Sequence, residues 1–178
     1  METWDAIRTR RNVRRYDDHP ISREDLDRIV AAAALAPSSM NEQRWAFVVC
    51  RERGRLEELS RAGDYMDHVA RAAAAIAFLT PRAEDVSERE SIAFDLGQAV
   101  ENAMLAAWDL GIGSCHASVY DEPRVRGVLD YPLEMTCDLV VSFGYPAHPA
   151  SLAPPGSRGG RKILLDLRHE ERFRGTVE

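Results

Sequence analysis

The sequence predicts a single α+β domain in which helices surround a sheet of three or four strands. Three observations support this prediction. The chain has 178 residues, enough for one sizeable core. Apolar residues recur at helical spacing in several separate stretches. Short β-branched and aromatic runs lie between those stretches, and no repeat or linker interrupts the pattern, so residues 1–178 are expected to form one domain.

Two helices are predicted at the start of the chain. The first covers Trp4–Arg11, where Trp4 and Ile7 are spaced as on one helix face. The second begins after Ser22, because a serine followed three residues later by an acidic residue can cap a helix N-terminus. Its apolar positions continue to Leu35, and Pro37 then stops it.

Strands and helices alternate through the middle of the chain. "RWAFVVC" (44–50) and "AIAFLT" (75–80) predict two strands. Between them, a helix is predicted over 54–62, and a short helix within 65–74. The segments at 54–72 and 82–90 are candidates for a lid over a pocket.

The strongest helical pattern covers residues 91–110, where apolar side chains occur nearly all round the helix. Such a helix is buried in a core or in an interface. Gly111 follows it as a C-cap glycine. Strands are then predicted at 112–120 and 137–146.

The last part of the chain contains less regular structure. Asp121 is expected to cap a short helix between the last two strands. Residues 146–160 are rich in Pro, Gly, Ala and Ser and predict a flexible loop, and residues 161–178 form a C-terminal segment.

Composition excludes several classes of function. The formal net charge is −6, which argues against broad nucleic-acid binding. The three cysteines, Cys50, Cys115 and Cys137, are far apart and form no CxxC motif, so neither a disulfide framework nor a metal site is expected. The apolar runs are too short to span a bilayer. These features favour a cytoplasmic protein without membrane or nucleic-acid partners.

Four arginines lie within six positions of this acidic chain, in "RRNVRR" (10–15). A solvated helix end is one interpretation. In an extended segment, however, Arg10, Asn12 and Arg14 project to one side, with Arg11, Val13 and Arg15 on the other. Two guanidinium groups and an amide could bind a phosphate through paired hydrogen bonds. The cluster therefore indicates a small anionic ligand.

Three further stretches contain residues that could take part in binding or catalysis. "APSSMNEQRW" (36–45) is either an ordinary turn or a loop that carries a site. "GGRK" (159–162) is either a basic loop end or a second set of cations for the same anion. "GIGSCH" (111–116) lacks the third glycine and the preceding strand of a dinucleotide phosphate loop. No nucleophile elbow or zinc-protease helix is recognisable.

Taken in order, these motifs resemble the nitroreductase family of FMN-dependent oxidoreductases. That family opens with an Arg-Arg-Ser-x-Arg type of motif, which stands here as Arg10–Arg14. It continues with a Pro-Ser-x-x-Asn-x-Gln-x-Trp loop, here Pro37–Trp45. "DLGQAVENAMLAAWDLGIGSCH", "FGYP" and a late basic pair before "HEERF" complete the order over almost the entire chain.

The resemblance implies a homodimer with a mixed or antiparallel central sheet and two FMN sites at the interface. The cofactor-binding positions that it implies are Arg10, Arg11, Asn12, Arg14, Pro37, Ser38, Ser39, Asn41, Gln43, His116, Ala117, Ser118 and Arg161. Arg10 and Arg161 would lie near the phosphate. Arg14 would lie near the pyrimidine edge of the flavin, where a cation stabilises the charge that reduction creates.

The implied reaction passes hydride from NAD(P)H through flavin N5 to a small electron acceptor such as a nitroaromatic, quinone or enone. FMN carries this chemistry, so no side-chain acid or base is needed. Two alternatives stay open: another flavin reaction, such as dehalogenation, flavin fragmentation or peptide oxidation, and a non-catalytic FMN sensor or store. The chain departs from the family pattern at Asn12, at Gly159 and at Arg44, which replaces a common proline.

Overall fold

The computed structural model describes residues 1–149 and 162–173. The helices are α1 (Thr3–Thr9), α2 (Arg23–Ala34), α3 (Arg53–Leu59), α4 (Val86–Asp109), α5 (Glu122–Leu129) and α6 (Leu164–Leu167). The strands are β1 (Ala46–Cys50), β2 (Ala74–Pro81), β3 (Gly113–Ser118) and β4 (Met135–Gly144), and single 3-10 turns cover Ser39–Asn41 and Asp67–Arg71. Arg161 and most of the predicted 146–160 loop lie outside the described residues.

The strands form one antiparallel sheet in the order β1-β2-β4-β3. This confirms the predicted α+β class and the antiparallel sheet. The segment after α1 extends the sheet beyond β3, because Asn12 bridges Ser114 in the parallel sense and the Val13 N–H donates to the Ser114 carbonyl at 2.9 Å. Tyr16 then bridges Pro146. The arginine cluster is therefore held along one edge of the sheet.

Helices cover both faces of the sheet. Side chains alternate along β2, so Ile76 and Phe78 pack with α2 and α4, whereas Ala75 and Ala77 pack with α3 and α5. The result is a three-layer arrangement with a core on each side of the sheet.

Helix α4 starts earlier than the predicted 91–110 helix. The Asp85 side chain accepts a hydrogen bond from the Glu88 N–H at 2.8 Å and caps the helix. Apart from the exposed Val86, the first turn is polar, so apolar periodicity does not reveal it. At the other end, Gly111 has a φ of +76° and confirms the predicted C-cap. The Ser22 cap is confirmed as well, since its Oγ accepts the Asp25 N–H at 3.0 Å.

Two glycines let the N-terminal segment lie close to the sheet. A Cβ at Gly113 would come within 2.6 Å of Val13 Cγ2, and a Cβ at Gly144 would come within 2.7 Å of the Tyr16 ring. The backbone of residues 12–16 can therefore pack directly on β3 and β4. Within the described ranges, none of the helices combines the length and the apolar character needed to cross a membrane.

Candidate functional site

Arg10 and Asn12 lie side by side at the start of the extended segment. Arg10 Nε donates to Glu101 Oε1 on α4 at 3.0 Å, and Arg10 Nη1 donates to Asn12 Oδ1 at 3.0 Å. Because Asn12 accepts through its oxygen, its amide N–H groups remain available as donors. This pairing agrees with the side-by-side projection expected from residue alternation.

The other arginines have different environments. Arg11 turns back towards α1, where its Nη1 donates to the carbonyls of Arg8 at 3.2 Å and Arg10 at 2.7 Å. A cation is favourable at that helix C-terminus. Arg14 is exposed, and it makes no hydrogen bond or ion pair with the parts of the chain described in the structure. Its guanidinium group is thus open to a ligand.

The predicted alternation does not continue as far as Arg15. Val13 is buried against Gly113, but Arg15, two positions later, is exposed. The backbone explains the change, because the Arg15 carbonyl accepts the Ala147 N–H at 3.1 Å while Tyr16 takes the position over Gly144.

Strand β3 brings His116 near the arginines. His116 and Ser118 are exposed on one face of the strand, while the Ala117 side chain is buried on the other. Burial raises the pKa of the neighbouring Cys115 thiol, and the positive charges of Arg14 and then Arg10 oppose that rise. Both guanidinium groups therefore lie close enough to β3 to act on it electrostatically.

The loop from Pro37 to Trp45 has an unusual backbone. Met40, Asn41 and Gln43 have φ values of 51°, 58° and 52°, in the left-handed region. Non-glycine residues pay about 1–2 kcal/mol each for that conformation. Such strain persists only where surrounding contacts enforce it.

The same loop presents hydrogen-bond donors. Ser38 Oγ accepts the Gln43 N–H at 3.0 Å, and Asn41 Oδ1 accepts from Gln43 Nε2 at 3.2 Å. The Ser38 hydroxyl hydrogen and the Asn41 amide hydrogens bond nothing else among the described residues. Together with Arg10, Asn12 and Arg14, these groups suit a ligand that is anionic or rich in acceptors. Pro37, Ser39 and Gln43 are exposed on the same loop.

The loop and the arginine cluster approach α4 from different directions. The loop contacts Asp95, whereas Arg10 contacts Glu101. These two positions are about 9 Å apart along the helix axis and about 120° apart around it. Clefts of about 360 and 400 Å³ near Asp18 and Arg53 include none of the predicted site residues. Within residues 1–149 and 162–173, neither of these clefts is lined by the loop or by the arginines of residues 10–15.

His68 is a candidate site residue that the sequence analysis missed. It lies in the 3-10 turn, is only 6% exposed, and its Nδ1 is 2.7 Å from Ser142 Oγ. Tyr16 Oη lies 2.6 Å from the same oxygen and donates to the Val13 carbonyl at 2.6 Å. His68 Nε2 is buried and has no partner in the described part of the chain. Its sequence signal was weak, because His68 is followed by Val69 and Ala70 but then by the charged Arg71 before the apolar run that starts at Ala72.

The surroundings of His68 keep it neutral. The pKa of His68 is lowered to about 4, mainly by burial and then by the positive charge of Arg14. The Asp67 carboxylate raises the pKa in part, His116 lowers it slightly, and a hydrogen bond with the Tyr65 backbone has a small raising effect. His68 therefore lies close to Arg14 and His116, and it is connected to the arginine segment through Ser142.

Within 1–149 and 162–173, no group of three or more His, Cys, Asp or Glu side chains is arranged to hold a metal ion. Cys50, Cys115 and Cys137 are all buried free thiols.

Comparisons with known proteins agree with this fold. Residues 7–76 and 58–145 match the family model described as "Nitroreductase family". An Archaeoglobus fulgidus protein named "Putative NADH dehydrogenase/NAD(P)H nitroreductase" is 39% identical over 149 residues, which cover 82% of this chain and 86% of that protein. The "FMN reductase [NAD(P)H]" of Bacillus subtilis is 26% identical over 192 residues, or 97% of this chain and 74% of the relative.

A solved structure gives the same result for the fold. The NADPH:FMN oxidoreductase of Vibrio harveyi, complexed with NAD+, superimposes with a TM-score of 0.84 at 21% identity, covering 98% of this chain and 79% of that one. The family match extends over most of the chain, from α1 to the end of β4. This chain belongs to the nitroreductase family.

Proposed function

We propose that this chain is an FMN-dependent oxidoreductase that uses NAD(P)H to reduce a small electrophilic acceptor such as a nitroaromatic, quinone or enone. Family membership and the names of the archaeal and Bacillus relatives support an FMN- and NAD(P)H-dependent oxidoreductase. The observation that carries the proposal is the row of donors along the sheet edge at Arg10, Asn12 and Arg14. Bound FMN would supply hydride transfer between the nicotinamide and the acceptor.

The residues present fit the chemistry of FMN. Its phosphate is an anion, and its ribityl chain and flavin ring offer many acceptor atoms. Arg10 and Asn12 would hold the phosphate and ribityl end, joined by Arg161. Glu101 now pairs with Arg10, and its half-exposed side chain has room to move when an anion binds. Charge-assisted bonds of this kind are among the strongest in proteins.

Arg14 would hold the pyrimidine edge of the ring. A fixed positive group there stabilises the negative charge that develops on reduction. The neutral His68 lies near Arg14, so it adds no charge of its own near pH 7. Its unpartnered Nε2 is a polar atom that a ligand could satisfy. The stretch from His116 to Ser118 would run beside the ring, with the exposed His116 and Ser118 contributing side chains and the buried Ala117 contributing only its backbone.

The proposed enzyme is a homodimer whose two sites lie at the interface. The Pro37–Trp45 loop approaches α4 from another direction than Arg10, so it lies apart from the arginines of its own subunit. In a dimer, its residues Ser38, Ser39 and Asn41 would instead complete the site of the partner subunit. Residues 162–173 are all exposed and include the large apolar side chains of Ile163, Leu164, Leu165, Leu167 and Phe173. Trp4 and Ile7 on α1 and Phe94 on α4 are exposed as well. An exposed apolar surface of this kind indicates a partner.

Obligate interfaces commonly bury about 2,000–5,000 Å² or more. Light scattering should therefore report a dimer, and a monodisperse monomer that binds FMN normally would contradict the shared site. The buried free thiols support a reducing, cytoplasmic location.

The function is tested with purified protein and FMN. The protein should be yellow, NAD(P)H should bleach it under anaerobic conditions, and addition of an acceptor should restore the colour. A panel of nitroaromatics, quinones and enones would then identify the acceptor class. A protein that binds FMN but is not reduced by either nicotinamide would instead be a store or sensor.

Two arginine variants test the site itself. Arg10→Ala should weaken FMN binding by about tenfold to a hundredfold, because the loss of one charge-assisted bond costs about 1.5–3 kcal/mol. Arg15→Ala is the matched control, since this neighbouring arginine is exposed on the segment without a predicted cofactor contact. The readout is FMN fluorescence titration of the apoprotein. Equal losses in the two variants would contradict the assignment of Arg10.

A further inference from the structure

The loop from Pro37 to Trp45 needs external support for its conformation. Three of its non-glycine residues are left-handed, and one of them, Met40, is 93% exposed, so packing of its side chain cannot hold the loop in place. The Ser38–Gln43 hydrogen bond is internal to the loop and cannot anchor it to the rest of the protein. The anchor must come from contacts with neighbouring elements.

Asp95 on α4 supplies one such contact. Its carboxylate is nearly buried, with the residue only 3% exposed, and Oδ2 accepts the Ser39 N–H at 3.0 Å. A buried carboxylate is unfavourable unless it is hydrogen-bonded and paired with a cation. The nearby cation is Arg44, whose Nη2 is 3.9 Å from the same Oδ2.

Arg44 connects the end of the loop to α4. Its side chain is only 19% exposed, and Nη2 donates to Ser91 Oγ at 2.9 Å, which in turn donates to Ser39 Oγ at 3.3 Å. The guanidinium group also lies 3.5 Å from Glu88 on α4. Its Nε is 3.0 Å from Glu42 Oε2, an ion pair whose geometry is too bent for a hydrogen bond. One cation is therefore surrounded by three carboxylates from the loop and the helix.

We propose that Arg44 and Asp95 together are positioning residues that hold the Pro37–Trp45 loop in its left-handed conformation and so set the affinity of the cofactor site that the loop completes. The role in cofactor affinity rests on the proposed function. Arginine, unlike the proline common at this position in the family, does not restrict its own φ. In this chain, the constraint is supplied by the side chain.

Neutral variants separate positioning from a general loss of stability. Arg44→Gln removes the cation and leaves three carboxylates facing one another. Asp95→Asn keeps an oxygen for the Ser39 N–H but removes the charge that attracts Arg44. Arg126→Gln is the matched control, because the Arg126 side chain is 16% exposed and pairs with Glu122 on α5, without contact to the loop. All variants are compared as the full chain.

Hydrogen exchange of the apoprotein gives a readout that does not depend on FMN. In Arg44→Gln, exchange at the Ser39 and Gln43 amides should accelerate by about tenfold or more, since both bonds require the held loop. In the Arg126→Gln control, the exchange rates of these two amides should equal those of wild type, even if its melting temperature falls as much as that of Arg44→Gln. In Arg44→Lys, which keeps the charge on a single ammonium group, the exchange rates of both amides should lie between those of wild type and of Arg44→Gln.

FMN titration completes the test. Arg44→Gln and Asp95→Asn should each weaken FMN binding by about tenfold, and the double variant should lose little more than either one, because the pair acts as a unit. The proposal would be overturned if Arg44→Gln and Asp95→Asn showed the same loop exchange rates and the same FMN affinity as Arg126→Gln. Should Arg44→Gln fail to fold, Arg44→Lys and Asp95→Asn carry the same test. A wild type that ignores FMN would overturn the proposed function, and exchange would still decide whether the pair holds the loop.

Discussion

His68 should make the stability of this protein fall as the pH drops below neutrality. Burial, reinforced by the charge of Arg14 and by His116, lowers the pKa of His68 to about 4 in the folded protein. In the unfolded chain, a histidine has a pKa of about 6.5. The unfolded state therefore binds the proton first. The stabilising effect is complete above pH ~6.5 and is lost as the pH falls towards 4.

The magnitude follows from the two pKa values. Between pH 7 and pH 5, proton binding by the unfolded state should reduce the free energy of unfolding by about 2 kcal/mol. That is a large share of the stability of a typical domain, which is about 5–15 kcal/mol. The main cause is burial, since His68 is only 6% exposed and its Nε2 has no hydrogen-bond partner within the described residues.

Urea denaturation of wild type and His68→Asn at pH 7, 6 and 5 measures this effect. Asparagine can still bond to Ser142 Oγ, which is 2.7 Å from the imidazole Nδ1, but it cannot be protonated. Between pH 7 and pH 5, the variant should lose about 2 kcal/mol less than wild type, whatever its stability at pH 7. Carboxylates titrate in both proteins, so their contribution cancels. Parallel pH profiles would refute the conclusion that His68 stays neutral in the folded protein.

Two further predictions concern the packing of the sheet edge and the start of α2. Gly113→Ala should destabilise the protein by about 1–3 kcal/mol, because the added Cβ lies 2.6 Å from Val13 Cγ2. Gly127 lies in α5, and a Cβ there would have no atom within 4 Å, so Gly127→Ala should stabilise the protein by about 0.5–1 kcal/mol. If urea denaturation gave changes of the same sign in the free energy of unfolding for both variants, the close contact at Gly113 would be excluded. Ser22→Ala should cost about 1 kcal/mol in thermal melts, because the helix cap is lost, and an unchanged melting temperature would mean that the cap does not form in solution.

The helices and strands could be predicted from the sequence because their determinants are local. Ser22 and Asp25 are three residues apart, and the bond between them caps α2 as expected. Gly111 follows an apolar helix and adopts the left-handed conformation that an L-side chain disfavours. The α+β class follows from these elements, and the arginine cluster and Pro-Ser loop can be read as linear motifs.

Other features depend on residues that are distant in the sequence. The order β1-β2-β4-β3 places β4 between two earlier strands, which no local pattern indicates. His68 became a candidate site residue only because Ser142 and Tyr16 come from other elements to bond with it. Arg44 departs from the family motif in sequence, and only the fold places Asp95 and Glu88 beside its guanidinium group.

Most of the helices and strands, the family motifs and the concentration of positive charge near the start of the chain can be predicted from the amino-acid sequence. Which polar groups are buried, which of them have partners and which remain open to a ligand depends on the three-dimensional fold. The physical reason is that helix periodicity and capping are set within a few residues along the chain. The cost of burying a charge or a hydrogen-bonding atom depends instead on whichever distant groups the fold brings next to it.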